Sequence, residues 1–263
     1  MSGDTLYIQL GDTYEGIGIS SDWHKKYNEP LTKTEQVFFR TCKEQKLRPV
    51  LNGDILDAVI YGWQSYKPSV CLQSFLSHVP PLGCDLILGN HDPTIKQARK
   101  IFADTSVTVH QSKLTIVLTD SMGRKQVWDI MHGDQFAIDW KYLRPVYLWV
   151  ADQGKKTFPK QWLWFCRRMG WATSHRLSKM RRSWITTGIR VEREKFNHLT
   201  GIVWGNALKY ATDKDRCVCI GHTHLANEDH LIGLDLKVLD DGDLKDETWA
   251  KITKDESKVL KSF

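Results

Sequence analysis

The sequence has no apolar run long enough to cross a membrane, no CxxC pair and no internal repeat. We therefore expect no membrane-spanning helix and no small disulfide framework. The six cysteines are scattered, and Cys217 and Cys219 alternate with Val218 in an apolar stretch. This pattern predicts reduced cysteines in a core strand, which favours the cytoplasm. The stretch that follows Met1 also lacks the basic and apolar regions of a signal peptide, in agreement with that location.

The composition is that of an ordinary globular protein, with 41% apolar and 26% charged residues in a chain of 263. This length suits one large domain, or one domain with an inserted cap. The net charge of +6 is unevenly distributed, because the segment from Trp140 to Thr200 contains fourteen Lys and Arg but only three Asp and Glu. The remainder of the chain is slightly acidic. A segment this basic attracts an anionic partner.

This basic segment is also rich in tryptophan, and its spacing is mainly helical. We predict that residues 140–200 form an inserted helical cap, while residues 1–139 and 201–263 form the core. Outside the basic segment, strand patterns alternate with helical patterns, which predicts a layered α/β protein. Strands at Thr5–Leu10 and Gly16–Ser20 are expected to form a hairpin around Gly11-Asp12-Thr13. The expected helices are Thr34–Lys46, Ser69–Val79, Thr94–Ala103 and Leu199–Ala211, and the other expected strands are Leu47–Leu51, Asp85–Leu88, Val107–Val109, Leu114–Thr119, Gln126–Met131, Arg216–Ile220, Lys237–Leu239 and Trp249–Thr253.

Five short motifs follow apolar runs and contain residues that bind metals. Ligands of layered α/β proteins bind in loops at the carboxyl ends of strands, so we expect these motifs to meet. Five of the ten histidines fall inside them. Any one motif alone is a weak signal, since Gly-Asp is a common turn and a lone His is usually structural. The motifs are Asp22-Trp23-His24, Gly53-Asp54, Gly89-Asn90-His91-Asp92, His132-Gly133-Asp134 and Gly221-His222-Thr223-His224.

The donor types in these motifs predict a divalent metal centre. Imidazole, carboxylate and amide oxygen together suit Mn, Fe or Zn, and the absence of thiolates argues against a structural zinc site. Seven candidate ligands exceed one tetrahedral site and suit two metals that share a carboxylate. Two such metals can bind substrate oxygens and stabilise a displaced oxygen, as phosphoryl transfer requires. The candidates are Asp22, His24, Asp54, Asn90, His132, His222 and His224.

In this order, the motifs D-x-H, GD, GNH, H-x-x and GH-x-H resemble the calcineurin-like metallophosphoesterase superfamily. The resemblance covers Gly16 to about Lys251 except the basic segment, and it implies a two-sheet β-sandwich flanked by helices. It also implies hydrolysis of a phosphate ester or pyrophosphate by a hydroxide held between two metals, with Mn the first expectation. One metal would be held by Asp22, His24, Asp54 and His224, and the other by Asp54, Asn90, His132 and His222.

The resemblance further implies that His91 binds the substrate phosphate or protonates the leaving group. Asp92 would orient His91, although a carboxylate here also suits a turn or a cap. Gly53-Asp54-Ile55-Leu56-Asp57, and His132-Gly133-Asp134-Gln135-Phe136 followed by an Arg-rich insert, are similar to UDP-2,3-diacylglucosamine pyrophosphatases and their relatives. Asp57 is then expected to contact substrate. His91 stands where that group often has Arg.

The densest basic cluster, Arg176, Lys179, Arg181 and Arg182, is expected to bind the anionic substrate. A nucleotide diphosphate needs only one or two arginines. An anionic membrane surface suits basic residues interleaved with aromatics, and nucleic acid suits basic charge with stacking rings. The leading hypothesis is a phosphoesterase acting on a nucleotide-linked, UDP-diacylglucosamine-like pyrophosphate, in the cytoplasm or peripheral to its membrane. The alternatives are a nuclease or phosphodiesterase, and a non-catalytic scaffold.

Overall fold

The computed structural model describes residues 7–9, 14–81, 83–119, 123–136, 203–222, 227–231, 236–240, 248–253 and 256–261. The basic segment lies outside these residues. The strands are β1 (Tyr7–Gln9), β2 (Gly16–Ser20), β3 (Leu47–Asn52), β4 (Cys84–Ile87), β5 (Val107–His110), β6 (Leu114–Thr119), β7 (Lys125–Met131), β8 (Cys217–Ile220), β9 (Asn227–Leu231), β10 (Leu236–Asp240), β11 (Thr248–Thr253) and β12 (Ser257–Lys261). The helices are α1 (Lys33–Glu44), α2 (Ala58–Tyr61), α3 (Val70–Leu76), α4 (Ile95–Ile101) and α5 (203–214), with 3₁₀ turns at Trp63–Tyr66 and Asp134–Phe136.

The strands form two six-stranded mixed sheets. Sheet I has the order β12-β11-β2-β3-β4-β5, and sheet II has the order β1-β6-β7-β8-β10-β9. In sheet I, β2 to β5 are parallel neighbours, whereas β11 joins β2 antiparallel. In sheet II, β7, β8 and β10 are parallel. The prediction of a layered α/β protein with two sheets is confirmed for the described residues.

The expected hairpin at the start of the chain is wrong. β1 pairs with β6 in sheet II, and β2 pairs with β3 and β11 in sheet I. All five residues of β2 are buried, so this strand requires partners on both edges and cover on both faces. A two-stranded hairpin with β1 would not bury β2 in this way.

Three apolar clusters separate four layers, in the order helix, sheet, sheet, helix. Phe38 of α1 and Phe75 of α3 pack with Leu51 on the outer face of sheet I. Ile19 and Trp128 belong to the cluster between the two sheets. α5 covers sheet II, where 203–214 contributes Val203, Ala207 and Ala211. Side chains that recur with the helical period, or with the strand period, therefore lie on the same face of their element and are buried together.

The helices begin at the capping residues that the sequence provides. Thr32 accepts a hydrogen bond from the backbone N–H of Glu35, whose carboxylate accepts one from the N–H of Thr32. Ser69 caps α3 by accepting from the N–H of Leu72. Each cap satisfies N–H groups that the first helical turn leaves without partners. The observed helices are therefore shifted or shortened by a few residues from the expected ones.

Two expectations from composition have an outcome here. Five cysteines, Cys42, Cys71, Cys84, Cys217 and Cys219, are free and buried, which confirms the prediction of core thiols for the described part of the chain. None of the helices in the described residues has the length and apolar character that crossing a membrane requires.

Strands β9 and β12 were not predicted. Both stretches are rich in polar residues and lack a clear alternation of apolar and polar positions.

Candidate metal centre

The five motifs lie immediately after five strands. Asp22, Asp54 and Asn90 follow the parallel neighbours β2, β3 and β4 of sheet I. His132 and His222 follow the parallel neighbours β7 and β8 of sheet II. Parallel strands end at the same edge of a sheet, so each sheet presents its motifs together. Contacts between His132 and both Asp54 and Asn90 bring the two edges together.

The loops after β2 and β3 are joined by backbone hydrogen bonds. The N–H of Asp22 donates to the carbonyl of Gly53 at 3.1 Å, and the N–H of His24 donates to that of Asp54 at 2.9 Å. The two loops therefore continue to pair beyond the ends of their strands, which fixes the backbone beneath three candidate ligands. Rigid loops of this kind hold functional side chains in place.

Four candidate ligands have left-handed backbone conformations. The φ angles are +59° at Asp22, +48° at His24, +53° at Asp54 and +68° at His222. Non-glycine residues rarely adopt positive φ, and such strain is concentrated at functional sites, where the surrounding fold maintains it. Of the six non-glycine residues with positive φ in the described part of the chain, four are these donors, and the other two, Lys46 and Asp215, lie in turns outside the centre.

One set of donors surrounds the Nε2 atom of His132. The distances from this atom are 3.2 Å to Oδ1 of Asn90, 3.2 Å to Nδ1 of His222 and 3.4 Å to Oδ2 of Asp54. Donor atoms of Asp54, His132 and His222 all lie within 4.8 Å of one another. We call these three residues with Asn90 the second donor group.

The opposite nitrogen of His132 determines how its ring is used. Nδ1 lies 2.9 Å from the carbonyl oxygen of Asn52. A carbonyl only accepts, so Nδ1 carries a proton and donates it. In neutral His132 the lone pair is then on Nε2, which faces the donors. Metal-binding histidines are oriented in this way by an outer hydrogen bond.

A second set of donors meets on the other side of Asp54. Donor atoms of Asp22, His24 and Asp54 also lie within 4.8 Å of one another, with Nε2 of His24 3.9 Å from Oδ1 of Asp22. We call these residues the first donor group. Asp54 belongs to both groups and is 2% exposed, so its carboxylate lies where two cations could share it. The donor sets fit two divalent ions.

Glycines allow this close approach. A Cβ atom at Gly89 would overlap the carboxylate and backbone N of Asp54 and would contact the His132 ring. A Cβ at Gly53 would overlap the His132 ring, and Gly53 also has a φ of +88°. The glycines of the GD and GNH motifs are therefore required by packing around Asp54, as well as by chain turning.

Acids and imidazoles balance each other's charge in the centre. Burial opposes ionisation of Asp54, but His132, His91 and His24 hold the pKa of Asp54 well below its ordinary value. Burial likewise opposes a charge on His132, whereas Asp54 beside it raises the pKa of His132 well above the usual range. The carboxylate thus favours positive charge at this position, which a bound cation would also supply.

His91 and Asp57 form a separate pair at the edge of the centre. Nδ1 of His91 lies 3.1 Å from Oδ1 of Asp57, and the His91 ring meets the His24 ring edge-on at 4.8 Å. Burial lowers the pKa of His91, but hydrogen bonding to Asp57 and the charges of Asp54, Asp57 and Asp92 raise it to about 9. The His91 side chain is 36% exposed, so its imidazolium can reach a bound molecule.

Asp92 does not lie where the resemblance implied. Its oxygens accept hydrogen bonds from the N–H groups of Leu56, at 2.7 Å, and Gly89, at 2.9 Å. Asp92 therefore ties the loop after β3 to the loop after β4, and Asp57 is the carboxylate on the His91 ring. Burial and then the charge of Asp54 raise the pKa of Asp92 to about 7, against the effect of the two N–H donors. The alternative of a turn or cap carboxylate describes Asp92 better.

The structure brings together six of the seven predicted ligands. His224 lies outside the described residues, as do Arg176, Lys179, Arg181 and Arg182. Sequence reasoning missed the pairing of Asp57 with His91 and the part of Asn52, whose carbonyl orients His132. Asp57 follows the loop residue Asp54 by three positions, which was a signal for a second carboxylate in the same loop. No sequence signal marks the Asn52 carbonyl, because every residue has one.

No protein-family model matches the sequence, and no curated protein matches it. Among solved structures, the chain is similar to phosphopantetheinyl hydrolase (PptH) from Mycobacterium tuberculosis. The identity is 13%, the TM-score is 0.37, and the match covers 89% of this chain and 92% of the other. A similarity of this strength assigns neither a family nor a role to any residue. The resemblance to calcineurin-like metallophosphoesterases therefore stays a prediction.

Proposed function

We propose that this protein is a dinuclear metal-dependent hydrolase of phosphate esters or pyrophosphates. The observation that carries the proposal is the position of Asp54, whose buried carboxylate belongs to both donor groups. A carboxylate shared by two clusters of nitrogen and oxygen donors suits a pair of divalent ions better than a structural role. Two such ions, when bound, supply positive charge to phosphate oxygens and activate water.

The residues of the two donor groups would hold two divalent ions at a fixed separation. Asp22 and His24 serve one position, and Asn90, His132 and His222 serve the other, with His224 assigned to the first by the resemblance alone. The carbonyl of Asn52 holds His132 in the tautomer that ligation needs. Mn is the first expectation, with Fe and Zn as alternatives, because mixed imidazole, carboxylate and amide donors suit all three.

His91 donates a proton to the oxygen of the leaving group. Asp57 accepts from its Nδ1, so the Nε2–H of the imidazolium is available to substrate. The ion pair with Asp57 keeps His91 protonated near neutral pH, and loss of this proton removes the general acid. We therefore propose that Asp57 positions His91, in place of the direct contact with substrate that the sequence analysis expected.

Two substrate classes follow from the charge of the basic segment. A nucleotide-linked pyrophosphate of the UDP-diacylglucosamine type is the first, and a nucleic acid or nucleotide is the second. Arg176, Lys179, Arg181 and Arg182 are proposed to recognise the anionic part of either one. Replacing these four residues together by Gln should raise KM for the true substrate and leave p-nitrophenyl phosphate turnover unchanged.

Contact with an anionic membrane is a further proposal for this segment, tested by sedimentation with phosphatidylglycerol vesicles.

The decisive experiment measures metal content and hydrolysis together. Purified protein loaded with Mn²⁺ should bind two ions per chain and hydrolyse p-nitrophenyl phosphate or bis-p-nitrophenyl phosphate. Asp54→Asn should lose at least one ion and roughly 100-fold or more of the activity, because the shared ligand loses its negative charge and one of its two donor oxygens. Asp104→Asn, which changes an exposed carboxylate outside the centre, is the matched control and should behave as wild type.

Wild-type protein that binds no Mn²⁺, Fe²⁺ or Zn²⁺ and hydrolyses neither compound would contradict the proposal. That result would support the non-catalytic scaffold instead. Binding of two ions without hydrolysis of either compound would direct the search to a wider screen of pyrophosphates and nucleic acids.

A further inference from the structure

Two tyrosines follow residues of the centre closely in the chain. Tyr27 follows His24 by three residues, and Tyr61 follows Asp57 by four. Asp57 is the residue before α2, and Tyr61 is the last residue of this helix. Tyr61 donates its backbone N–H to the carbonyl of Asp57 at 3.1 Å. The backbone of Tyr61 is thus one helical turn from the carboxylate residue that contacts His91.

The two rings are in contact with each other and are supported from below. The centroids of Tyr27 and Tyr61 are 5.9 Å apart with an interplanar angle of 65°. Tyr27 also packs edge-on against Tyr66, whose ring is fully buried and whose hydroxyl donates to the carbonyl of Lys25 at 2.6 Å. The pair therefore rests on a fixed aromatic base and is not a loose surface contact.

The backbone of Tyr27 is also held on both sides. Its carbonyl accepts from the N–H of Cys71 at 3.0 Å, which ties it to α3. The turn that contains it is closed by a hydrogen bond from Glu29 N–H to the Lys26 carbonyl and by an ion pair between their side chains at 2.7 Å. A ring held in this way offers contact area at little cost in conformational entropy.

Tyr27 remains exposed despite these contacts. Large apolar side chains that stay exposed in the described part of the chain are Tyr27 at 39%, Val70 at 49% and Leu76 at 37%. Tyr27 differs from Leu76 because it adjoins the His24 loop, and its partner Tyr61 adjoins Asp57. The rings of His24 and His91 also meet, and Asp57 contacts His91, so the two segments that carry the tyrosines both reach the proposed proton donor.

We propose that Tyr27 and Tyr61 bind a planar aromatic group, such as a nucleobase, on the leaving-group side of the substrate phosphate, an inference that rests on the proposed function. A proton donor must face the leaving-group oxygen, so the organic group attached to that oxygen extends toward the His91 side. Two tyrosine rings in edge contact form a patch that suits one further ring in stacked or edge-to-face geometry. An acyl chain would need a longer apolar groove than this pair offers.

The test compares two non-hydrolysable ligands, phenylphosphonate and methylphosphonate, by isothermal titration calorimetry with Mn²⁺-loaded protein. Both present the same phosphonate to the metals, and only one carries a ring. Phenylphosphonate should bind roughly 2- to 12-fold more tightly to wild type, the range expected for one aromatic contact. In Tyr27→Ala this ratio should fall to about one while the Kd of methylphosphonate stays the same. Tyr27→Phe should retain the ratio, because the ring is kept.

Leu76→Ala is the matched control, since Leu76 is exposed to a similar degree but lies at the end of α3, which carries none of the donors. It should leave both affinities unchanged. Equal affinities of the two phosphonates for wild type, or an equal loss of both in Tyr27→Ala, would overturn the tyrosine subsite and leave the metal centre intact. If wild type with Mn²⁺ binds neither phosphonate, the proposed function fails and the subsite fails with it.

Discussion

At the scale of single residues, the proposed function assigns proton transfer to His91 and metal binding to His132. The His91 side chain is 36% exposed and pairs with Asp57, whereas His132 is buried and its ring is held by the Asn52 carbonyl. The surroundings of each histidine thus decide which of the two proposed roles it suits. Asp57 makes His91 a stronger base, and therefore keeps it protonated to higher pH.

Asp57→Asn should move the alkaline limb of the pH–activity profile to lower pH. The His91 pKa of about 9 depends first on the hydrogen bond to Asp57, once burial has been overcome. Bound cations oppose this effect, so the limb of wild type should lie at or below pH 9. Removing the negative charge lowers the His91 pKa further, and the acid is lost earlier as pH rises. An unchanged limb in kcat/KM for p-nitrophenyl phosphate would show that His91 is not the titrating acid.

Gly89→Ala should abolish metal binding and destabilise the fold. The added methyl group overlaps Asp54 and meets His132, and neither can move without leaving its donor group. We expect a loss of about 1–3 kcal/mol in the free energy of unfolding, typical of overpacking. Urea denaturation and metal analysis measure the two effects.

Gly205→Ala is the control for this substitution, because a Cβ at Gly205 in α5 meets nothing within 4 Å. It should stabilise the protein by about 0.5–1 kcal/mol, since alanine favours a helix interior over glycine. Equal effects of the two changes would mean that packing at Gly89 is looser than its neighbours indicate.

At the scale of elements, α5 is bound to sheet II by hydrogen bonding to one buried carboxylate, that of Asp129. Asp129 on β7 accepts from Tyr210 of α5 at 2.8 Å, from Thr115 at 2.5 Å and from Lys113 at 3.1 Å, and it pairs with Arg216 at 3.2 Å. Burial opposes the charge of Asp129, but these donors keep its pKa below the ordinary value. α5 is followed directly by β8, so this network also sets the start of the strand that leads to His222.

Tyr210→Phe should cost about 0.5–1.5 kcal/mol of unfolding free energy. The hydroxyl loses its bond to Asp129 and the longer one that it accepts from Lys113, but Asp129 keeps its other donors, Lys113 among them. Asp129→Ala should cost about 3–5 kcal/mol, because it leaves a set of buried donors and charges without their partner. Both variants should still bind two metal ions once folded. Similar losses for the two variants in urea denaturation would contradict the central position of Asp129.

At the scale of the whole molecule, the metal centre joins the two sheets. Asp22, Asp54 and Asn90 belong to sheet I, whereas His132 and His222 belong to sheet II. A cation bound by donors from both sheets exists only in the folded state, so its binding free energy adds to stability. Ions bound there would stabilise the same interface as the apolar cluster between the sheets.

Mn²⁺ should therefore raise the melting temperature, and EDTA should reverse the change. At a free ion concentration 100 times Kd, each site contributes about 2.7 kcal/mol. For a domain of this size that corresponds to roughly 5–10 °C per site. Differential scanning fluorimetry of Asp54→Asn should show an increase that is smaller by the contribution of at least one site. A metal-induced increase of the same size in Asp54→Asn would place the ions elsewhere.

Much of the fold was predictable from local patterns. The period of the apolar residues and the caps at Thr32 and Ser69 set α1 and α3, since these signals act within a few residues. The pairing of β1 was not predictable, because a three-residue strand is compatible with either sheet, and burial of β2 by β3 and β11 decides against the hairpin. β12 was missed because polar strands at an edge carry little apolar period.

For the centre, the donor types, their order and their position after strands could be read from the residues, because they depend on residue identity and on local chain direction. Which donors meet depends on the packing of the two sheets. The tertiary structure placed Asp54 in both groups, assigned Asp57 rather than Asp92 to His91, and oriented His132 through the Asn52 carbonyl. These contacts bring together loops whose residues are thirty or more positions apart in sequence. Their distances depend on how the loops cross at the edge of two packed sheets, which no local pattern records.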